Sequence, residues 1–345
     1  MFPPPQAQSS DVPQGDELVV SVEVRGKTLR WTWTEILRDQ AQIAWEHSGV
    51  CCLPDGRVVS GRPEGGALTL YNALGSLVSI VPVPLTETHG ICSAPAAGSS
   101  AVWIADCGVR SLPSRGRYEE HVARGRVALV DLSGRILKEL AQPDHEAYER
   151  AQWMPCAAVT DDPSLGGDGD IWVADGYGQN LLHRFDANGI YLSSITAGGN
   201  VTWDTPHALL VDRRRSEPEM YVADRENRRI VVLDLRGNYR RTFGEETLTS
   251  PSGLAVSNGL LAVTELYGSL KFFDREDQLV GAIGGSPVLE LDDAWPNVDV
   301  GGKIVRPPTQ HGAFRSPHGI GADLAGNLYV TEWIVGGRLI RLAAE

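Results

Sequence analysis

Short apolar runs alternate with turn residues along most of the chain. Runs of five to seven residues rich in Val, Ile, Leu and aromatic side chains are separated by Gly, Asn, Asp and Pro, and helical periodicity is almost absent. This pattern predicts an all-β protein. The segment "TEILRDQAQIAWEH" (34–47) is the exception, and we expect one short helix there.

The runs form a repeat that starts with a small residue or Pro, continues with His, Ser or Cys, and then has an apolar pair. It is clearest in "SPHGIGADLAGNLYVTEW" (316–333) and "TPHALLVDRRRSEPEMYVADRENRR" (205–229). Each unit is typical of a strand, a turn and a second strand, and most units continue with a third strand. Six such units begin at His47, Thr88, Pro155, Pro206, Pro251 and Pro317.

Six units of three or four strands predict a six-bladed β-propeller, with loop insertions at about 107–126, 141–154 and 285–315. The last unit ends after its third strand, which leaves an unpaired blade edge. The β-rich segment 17–33 can supply the missing strand and close the ring. A seven-bladed ring, with this segment as a blade of its own, is the alternative. We expect one propeller domain over 17–345, preceded by a disordered tail over 1–16.

Charge and composition narrow the possible partners. The 345 residues carry a net charge of −13, so no basic stripe is available for nucleic acid or for an anionic membrane surface. A small-molecule or peptide substrate is the expected partner. No signal peptide or membrane-spanning run is visible, and we expect a soluble, cytoplasmic protein. The five cysteines, an odd number without CxxC spacing, are interpreted as buried free thiols.

Histidine recurs at the second position of the repeat. Because the first strand of every propeller blade lines the central channel, equivalent residues surround one axis. His89, His207 and His318 occupy this position in units two, four and six, which are about 120° apart in a six-fold ring. Three converging imidazoles with a free fourth coordination position are typical of a Zn²⁺ site. Other first-row divalent ions are alternatives at such a site. The other units have Ser48, Cys156 and Ser252 there. The remaining histidines are interpreted as surface or loop residues: His47, His121, His145, His183 and His311.

Four stretches of the sequence carry a resemblance to a known family. These are "VADGYGQN" (173–180), "PHALLVDRR" (206–214), "YVADRENRRI" (221–230) and "SPHGIGADLAGNLYVTEW" (316–333). With them the chain resembles the peptidyl-α-hydroxyglycine α-amidating lyase (peptidylamidoglycolate lyase) family, a six-bladed propeller of NHL-type repeats, over about residues 46–345. The resemblance implies that the three channel histidines hold zinc.

The resemblance also implies roles for other side chains. Tyr177 of "ADGYG" matches the catalytic tyrosine, and Arg62 of "RVVSGRPEGG" matches an arginine that binds the substrate carboxylate. Arg225 of "DREN" is expected to brace the site or to touch substrate. A Tyr near a metal can act as a base, and an Arg can bind a carboxylate through two hydrogen bonds.

One position departs from the family pattern. The family has an Asp directly after its last channel histidine, which contributes to a structural calcium together with main-chain oxygens that correspond to Val50 and Ile91. Gly319 stands at that position here. Because Ca²⁺ is held mainly by charged oxygen ligands, a structural calcium is not expected in this chain.

The implied reaction is that of a carbon–nitrogen lyase. A carbinolamide, N–CH(OH)–COO⁻, is cleaved into an amide and glyoxylate, with zinc acting on the hydroxyl, Tyr177 removing its proton and Arg62 holding the carboxylate. Another α-hydroxyglycine-type compound, such as ureidoglycolate, is an alternative substrate. Two other functions stay open: a metal-dependent hydrolase such as a lactonase, and a non-catalytic NHL-repeat scaffold that binds a protein or RNA.

Overall fold

The computed structural model describes residues 18–36, 44–96, 99–285 and 294–345. These residues form an all-β protein of six antiparallel sheets arranged as a six-bladed propeller, as predicted. The helix expected over 34–47 was wrong in its described parts, because 34–36 end a β-strand and 44–47 are not helical. Its middle, 37–43, and the tail expected to be disordered, 1–16, lie outside the described residues.

The strands of the first half follow the repeat. An N-terminal hairpin consists of β1 (Leu18–Val24) and β2 (Lys27–Ile36). Blade one contains β3 (Val50–Cys52), β4 (Val58–Gly61), β5 (Ala67–Tyr71) and β6 (Leu77–Pro82). Blade two contains β7 (Gly90–Ala96) and β8 (Ser99–Asp106), an inserted hairpin of β9 (Val109–Ser114) and β10 (Arg117–Val122), and then β11 (Arg126–Asp131) and β12 (Ile136–Leu140). Blade three contains β13 (Ala157–Thr160), β14 (Ile171–Ala174), β15 (Leu182–Phe185) and β16 (Tyr191–Ile195).

The second half repeats this plan. A small hairpin of β17 (Ala197–Gly198) and β18 (Val201–Thr202) leads to blade four, with β19 (Pro206–Asp212), β20 (Glu219–Asp224), β21 (Arg229–Asp234) and β22 (Tyr239–Phe243). Blade five contains β23 (Pro251–Ser257), β24 (Leu260–Glu265), β25 (Ser269–Phe273) and β26 (Leu279–Gly284). A hairpin of β27 (Val298–Val300) and β28 (Lys303–Val305) precedes blade six, with β29 (Pro317–Ala322), β30 (Leu328–Glu332) and β31 (Arg338–Ala344).

Helical structure within the described residues is limited to two 3₁₀ turns, Glu146–Tyr148 and Pro163–Leu165. The first of them lies in the predicted insertion 141–154. The other two predicted insertions carry the hairpins β9–β10 and β27–β28. None of the described helical segments has the length and apolarity that crossing a bilayer requires.

The N-terminal hairpin closes the ring. β2 pairs antiparallel with β31, with Trp33 opposite Leu342, and β1 adds a fifth strand outside it. The seven-bladed alternative is therefore wrong, because the segment completes blade six. Trp31 stacks on Phe272 of blade five at 5.2 Å between ring centres, so the hairpin also covers the seam between blades five and six. Truncating such a buried Trp to Ala typically costs about 3–5 kcal/mol.

The hydrophobic core lies between neighbouring blades rather than at the centre. Val59 and Leu68 of blade one, for example, pack in one cluster with Val102 and Ile104 of blade two. Since the apolar contacts run from blade face to blade face, the axis stays open as a cavity of about 350 Å³. All five cysteines are free thiols, as predicted, and four of them line this cavity: Cys51, Cys52, Cys92 and Cys156.

Candidate active site

The three histidines of the repeat meet at one end of the central channel. His89, His207 and His318 line the cavity together with Cys156 and Ser252. Their ring centres are 4.8, 4.9 and 5.0 Å apart, which is nearly an equilateral triangle. All three side chains are at most 3% exposed. The alternating register therefore places three imidazoles around the axis, as the spacing of the repeats indicated.

Buried carboxylates hold the segments that lead to these histidines. Asp224, at the end of β20, accepts a hydrogen bond from the backbone N–H of Asp204 at 2.9 Å, three residues before His207. A carboxylate fixes the backbone in the same way before His89 and before His318. Five blades carry such a buried acid at the last residue of the second strand or directly after it: Asp106, Asp175, Asp224, Glu265 and Glu332. The sequence analysis missed this set, although Asp or Glu recurs at that register in five of the six units.

Backbone carbonyls orient the imidazoles. His89 Nδ1 lies 2.6 Å from the Cys156 carbonyl oxygen, and His207 Nδ1 lies 2.6 Å from that of Ser252. In both pairs the carbonyl belongs to the second repeat position of the next blade. Because Nδ1 carries the proton that it donates to the carbonyl, Nε2 keeps its lone pair free for a ligand.

No hydrogen bond of good geometry reaches either ring nitrogen of His318 among the described residues, although the ring is only 3% exposed and the Ser48 carbonyl of the next blade lies near it. A buried polar atom without a partner costs roughly 1–3 kcal/mol. The neighbouring carbonyl of Ser48 works to raise the pKa of His318, but burial and the charges of His89 and His207 outweigh it and lower that pKa. The imidazole is therefore neutral and has a lone pair to offer.

The Tyr177 hydroxyl lies among the imidazoles. It is 2.8 Å from His207 Nε2, 3.1 Å from His89 Nε2 and 3.1 Å from His47 Nε2. Tyr177 follows β14 and the buried Asp175, so its position depends on the blade-three second strand. Burial raises its pKa, and the Arg225 guanidinium acts against that shift.

His47 lies in the loop before β3, as interpreted, but it also belongs to this cluster, which the sequence analysis did not predict. Its ring centre is 4.5 Å from that of His89 and 5.0 Å from that of His318. One ligand nitrogen from each of these three residues lies within 4.8 Å of the others, so they could hold a metal ion. The signal was available, since His47 occupies the first repeat position, where the other units have Pro or Thr.

All four histidines are neutral near pH 7. Burial lowers the pKa of His89 to about 4, and it lowers the pKa values of His47, His207 and His318 further below their ordinary range. Metal binding requires unprotonated imidazole, so these residues need not lose protons to act as ligands. Neutral imidazoles around one axis are suitable ligands for an ion of intermediate softness such as Zn²⁺. The nitrogens of His318, which lack a well-aligned hydrogen bond, are available to such an ion.

The two arginines differ in their relation to this centre. Arg225, directly after β20, places Nη1 3.3 Å from the Tyr177 hydroxyl, with its guanidinium 5.5 Å from the centre of the tyrosine ring. Arg62 follows β4, at the register where the other blades carry the buried acid. Its Nε lies 3.6 Å from the Glu64 carboxylate, and 19% of its side chain is exposed. The structure thus joins Arg225 to Tyr177 and leaves Arg62 paired with Glu64.

A second buried polar cluster lies in blade three. His183, also interpreted as a surface or loop residue, is fully buried on β15, so that interpretation was wrong. Its Nε2 lies 2.7 Å from the Tyr148 hydroxyl, which donates to the Asp175 carboxylate at 2.6 Å. Its Nδ1 lies 2.8 Å from the Ser194 hydroxyl. We call these four residues the blade-three network; through Asp175 it supports the chain just before Tyr177.

Gly319 has no room for a side chain. A Cβ atom there would lie 2.7 Å from Thr331 Oγ1 and 2.9 Å from Gly49 Cα. The carboxylate that the family carries at this position therefore cannot be introduced without moving the backbone of blade one. Val50 and Ile91, whose carbonyls the resemblance assigns to calcium, do line the channel.

A sequence relative supports the family resemblance. The chain is 24% identical over 175 residues to a probable peptidyl-alpha-hydroxyglycine alpha-amidating lyase of Caenorhabditis elegans. The match covers 50% of this chain and 45% of the relative, so it spans less than half of the relative's length. The resemblance inferred from the motifs is confirmed. No model of a known protein family matches the chain.

Solved structures share the fold. A streptogramin B lyase superposes with a TM-score of 0.55 at 12% identity, covering 91% of this chain and 97% of the other. Virginiamycin B lyase from Staphylococcus aureus has a TM-score of 0.55 at 14% identity, covering 90% and 98%. A protein of unknown function from Bacteroides thetaiotaomicron reaches 0.58 at 15% identity, covering 93% and 80%. These likenesses show the propeller fold, and two of the three carry the name of a lyase.

Proposed function

We propose that the protein is a zinc-dependent lyase that cleaves an N-acyl-α-hydroxyglycine into an amide and glyoxylate. The observation that carries the proposal is the Tyr177 hydroxyl, which lies 2.8–3.1 Å from three imidazole nitrogens at the channel end. The sequence relative named as an α-amidating lyase supports the same chemistry. Lactonase and non-catalytic scaffold functions leave this convergence of Tyr and His unexplained.

The metal ligands in this proposal are His89, His207 and His318. Their near-equilateral arrangement and the carbonyls behind two of them favour this set. His47, whose Nε2 lies 3.1 Å from the Tyr177 hydroxyl, then positions the tyrosine. A zinc ion held by these imidazoles supplies a Lewis acid beside the substrate hydroxyl.

In this mechanism Tyr177 acts as the phenolate and takes the proton of the substrate hydroxyl; burial opposes the phenolate, and the positive charges of Arg225 and of a zinc ion held by the imidazoles would offset that effect on its pKa. Arg225, 3.3 Å from the phenolic oxygen, offers its remaining N–H groups to the substrate carboxylate, and Arg62 is the second candidate for that role. As the C–O bond becomes a carbonyl, the C–N bond breaks and its electron pair stays on nitrogen. The nitrogen gains one proton and the oxygen loses one, so neither water nor an oxidant is consumed.

Glyoxylate release from N-benzoyl-α-hydroxyglycine tests the reaction. We expect the Tyr177→Phe variant to lose at least about 100-fold in kcat while it keeps its zinc, because a general base contributes about 10²–10⁴-fold. Tyr239→Phe, on the outer strand of blade four, is the matched control and should retain full activity. Protein with one zinc per chain that releases no glyoxylate would contradict the proposal.

Two glutamine variants separate the candidate ligand sets. His207→Gln should lose the zinc measured by ICP-MS, whereas His47→Gln should keep it and lose activity. The opposite result would assign the metal to His47, His89 and His318, whose nitrogens lie within 4.8 Å of one another.

A further inference from the structure

A row of aromatic side chains extends from the histidine cluster along the channel mouth. The Trp333 ring centre is 5.9 Å from that of His47 and 5.4 Å from that of Trp45, on which it stacks. Trp45 in turn contacts Tyr118 at 5.5 Å. On the other side, Trp333 contacts Trp295 at 5.7 Å, and Trp295 contacts Tyr267 at 5.1 Å. We call Tyr118, Trp45, Trp333, Trp295 and Tyr267 the aromatic row.

Exposure separates these tryptophans from the others in the protein. Six of the nine tryptophans are at most 3% exposed and fill the cores between blades. The remaining three, Trp45, Trp295 and Trp333, are all partly exposed, and all three belong to the aromatic row. A contiguous group of partly exposed aromatic rings next to a polar site is typical of a ligand-binding surface.

The row is assembled from distant parts of the chain that brace one another. Tyr118 comes from the hairpin inserted into blade two, and Trp295 comes from the segment before β27. The hairpin β9–β10, which carries Tyr118, is joined to the hairpin β27–β28, which follows Trp295. The contacts are a hydrogen bond from Ile304 N–H to the Gly116 carbonyl at 2.9 Å and a salt bridge between Arg117 and Asp299 at 3.2 Å. These contacts hold the rings in place before a ligand arrives, which lowers the ordering cost of binding.

The polar and apolar parts of this region meet at His47. Its Nε2 lies 3.1 Å from the Tyr177 hydroxyl, and Arg225 Nη1 lies 3.3 Å from the same hydroxyl. Its ring centre is also 5.9 Å from that of Trp333, where a surface made of aromatic rings begins. A ligand that contacts both groups has its carboxylate and reacting carbon near Tyr177 and Arg225 and a large apolar group near Trp333.

We infer that the aromatic row is the subsite for the acyl group on the amide side of the substrate, and that it selects aromatic or large apolar acyl groups. The inference rests on the proposed lyase function, since that function defines which part of the substrate faces the row. It assigns a role to two insertions of the propeller that the reaction itself does not require.

Two substrates with the same reacting centre test the inference. N-benzoyl-α-hydroxyglycine should have a kcat/KM at least about tenfold above that of N-acetyl-α-hydroxyglycine, because stacking of one ring adds about 0.5–1.5 kcal/mol to the gain from burying its apolar area. Trp333→Leu should lower the benzoyl value more than the acetyl value, so that the ratio of the two falls to less than about threefold. The control Tyr239→Leu, also an exposed aromatic, should keep the full preference.

A binding measurement separates failure of the subsite from failure of the lyase function. Hippurate and N-acetylglycine lack the reactive hydroxyl, so their effect on tryptophan fluorescence reports binding without turnover. If hippurate binds more tightly than N-acetylglycine and Trp333→Leu removes the difference, the subsite is supported. If, in addition, neither hydroxylated substrate releases glyoxylate, only the lyase function is rejected. Equal affinity for both analogues, or equal kcat/KM for both substrates, overturns the subsite.

Discussion

Two buried polar clusters of similar composition differ in how completely their hydrogen bonds are satisfied. In the blade-three network, Tyr148, Asp175, His183 and Ser194 form an unbroken chain with distances of 2.6–2.8 Å. In the histidine centre, no hydrogen bond of good geometry reaches the His318 ring nitrogens among the described residues, and one Tyr177 hydroxyl is shared by several imidazoles. A satisfied network stabilises the fold, whereas an unsatisfied one has the capacity to bind something else.

The largest expected effect comes from removing the poorly paired imidazole. His318→Ala should weaken zinc binding by more than about 100-fold, because changes in the outer shell of a metal site alone cost 10–100-fold. The free energy of unfolding of the metal-free protein, measured in urea, should change by less than about 1 kcal/mol, because removing a poorly paired buried imidazole offsets the cost of the cavity that it leaves. If His318→Ala kept all of its zinc and lost much of its stability, His318 would stabilise the fold rather than bind the metal.

Truncating a residue of the blade-three network to Ala should instead lower the stability of the fold and leave zinc binding unchanged. Asp175→Ala removes the acceptor of the Tyr148 hydroxyl and of the backbone N–H groups of Met154 and Gln179, each at 2.6–2.7 Å. Leaving these buried donors unpaired should cost about 3 kcal/mol in urea unfolding, with zinc binding retained. Glu217→Ala, at an exposed position on blade four, is the control and should lie within about 0.5 kcal/mol of the wild type.

The smallest effect is a change in the pH dependence of stability. Burial lowers the pKa of His183 to about 3, whereas the unfolded residue titrates near the ordinary histidine value of 6.5. Between these values the unfolded state binds the extra proton, so His183 lowers stability by about 1.4 kcal/mol per unit as pH falls from 6.5. Above pH 6.5 it contributes nothing to the slope.

His183→Gln should therefore be less sensitive to acid than the wild type. Urea unfolding at pH 7, 5.5 and 4.5 should show the deficit of the variant shrinking as the pH decreases. Parallel pH profiles for the two proteins would mean that His183 has the same pKa in the folded and unfolded states, and they would contradict this prediction.

The repeat made the fold and the channel histidines predictable, because periodic spacing fixes which residues face the axis. His89, His207 and His318 were found in this way, and Tyr177 through the family motif. The role of His47 was not predicted, since it depends on how the chain enters blade one, where Arg62 replaces the buried acid of the other blades. The aromatic row was not predicted either, because Tyr118 reaches Trp45, and Trp295 reaches Trp333, only once the two insertions have folded against the ring.

The N-terminal hairpin also determines when the protein can finish folding. β2 is synthesised long before its partner β31, so Trp33 must wait for Leu342. Until then, a strand that carries two large tryptophans lacks the sheet that buries them, which is the kind of exposed edge that promotes aggregation. All six blades must therefore be synthesised before the ring can close.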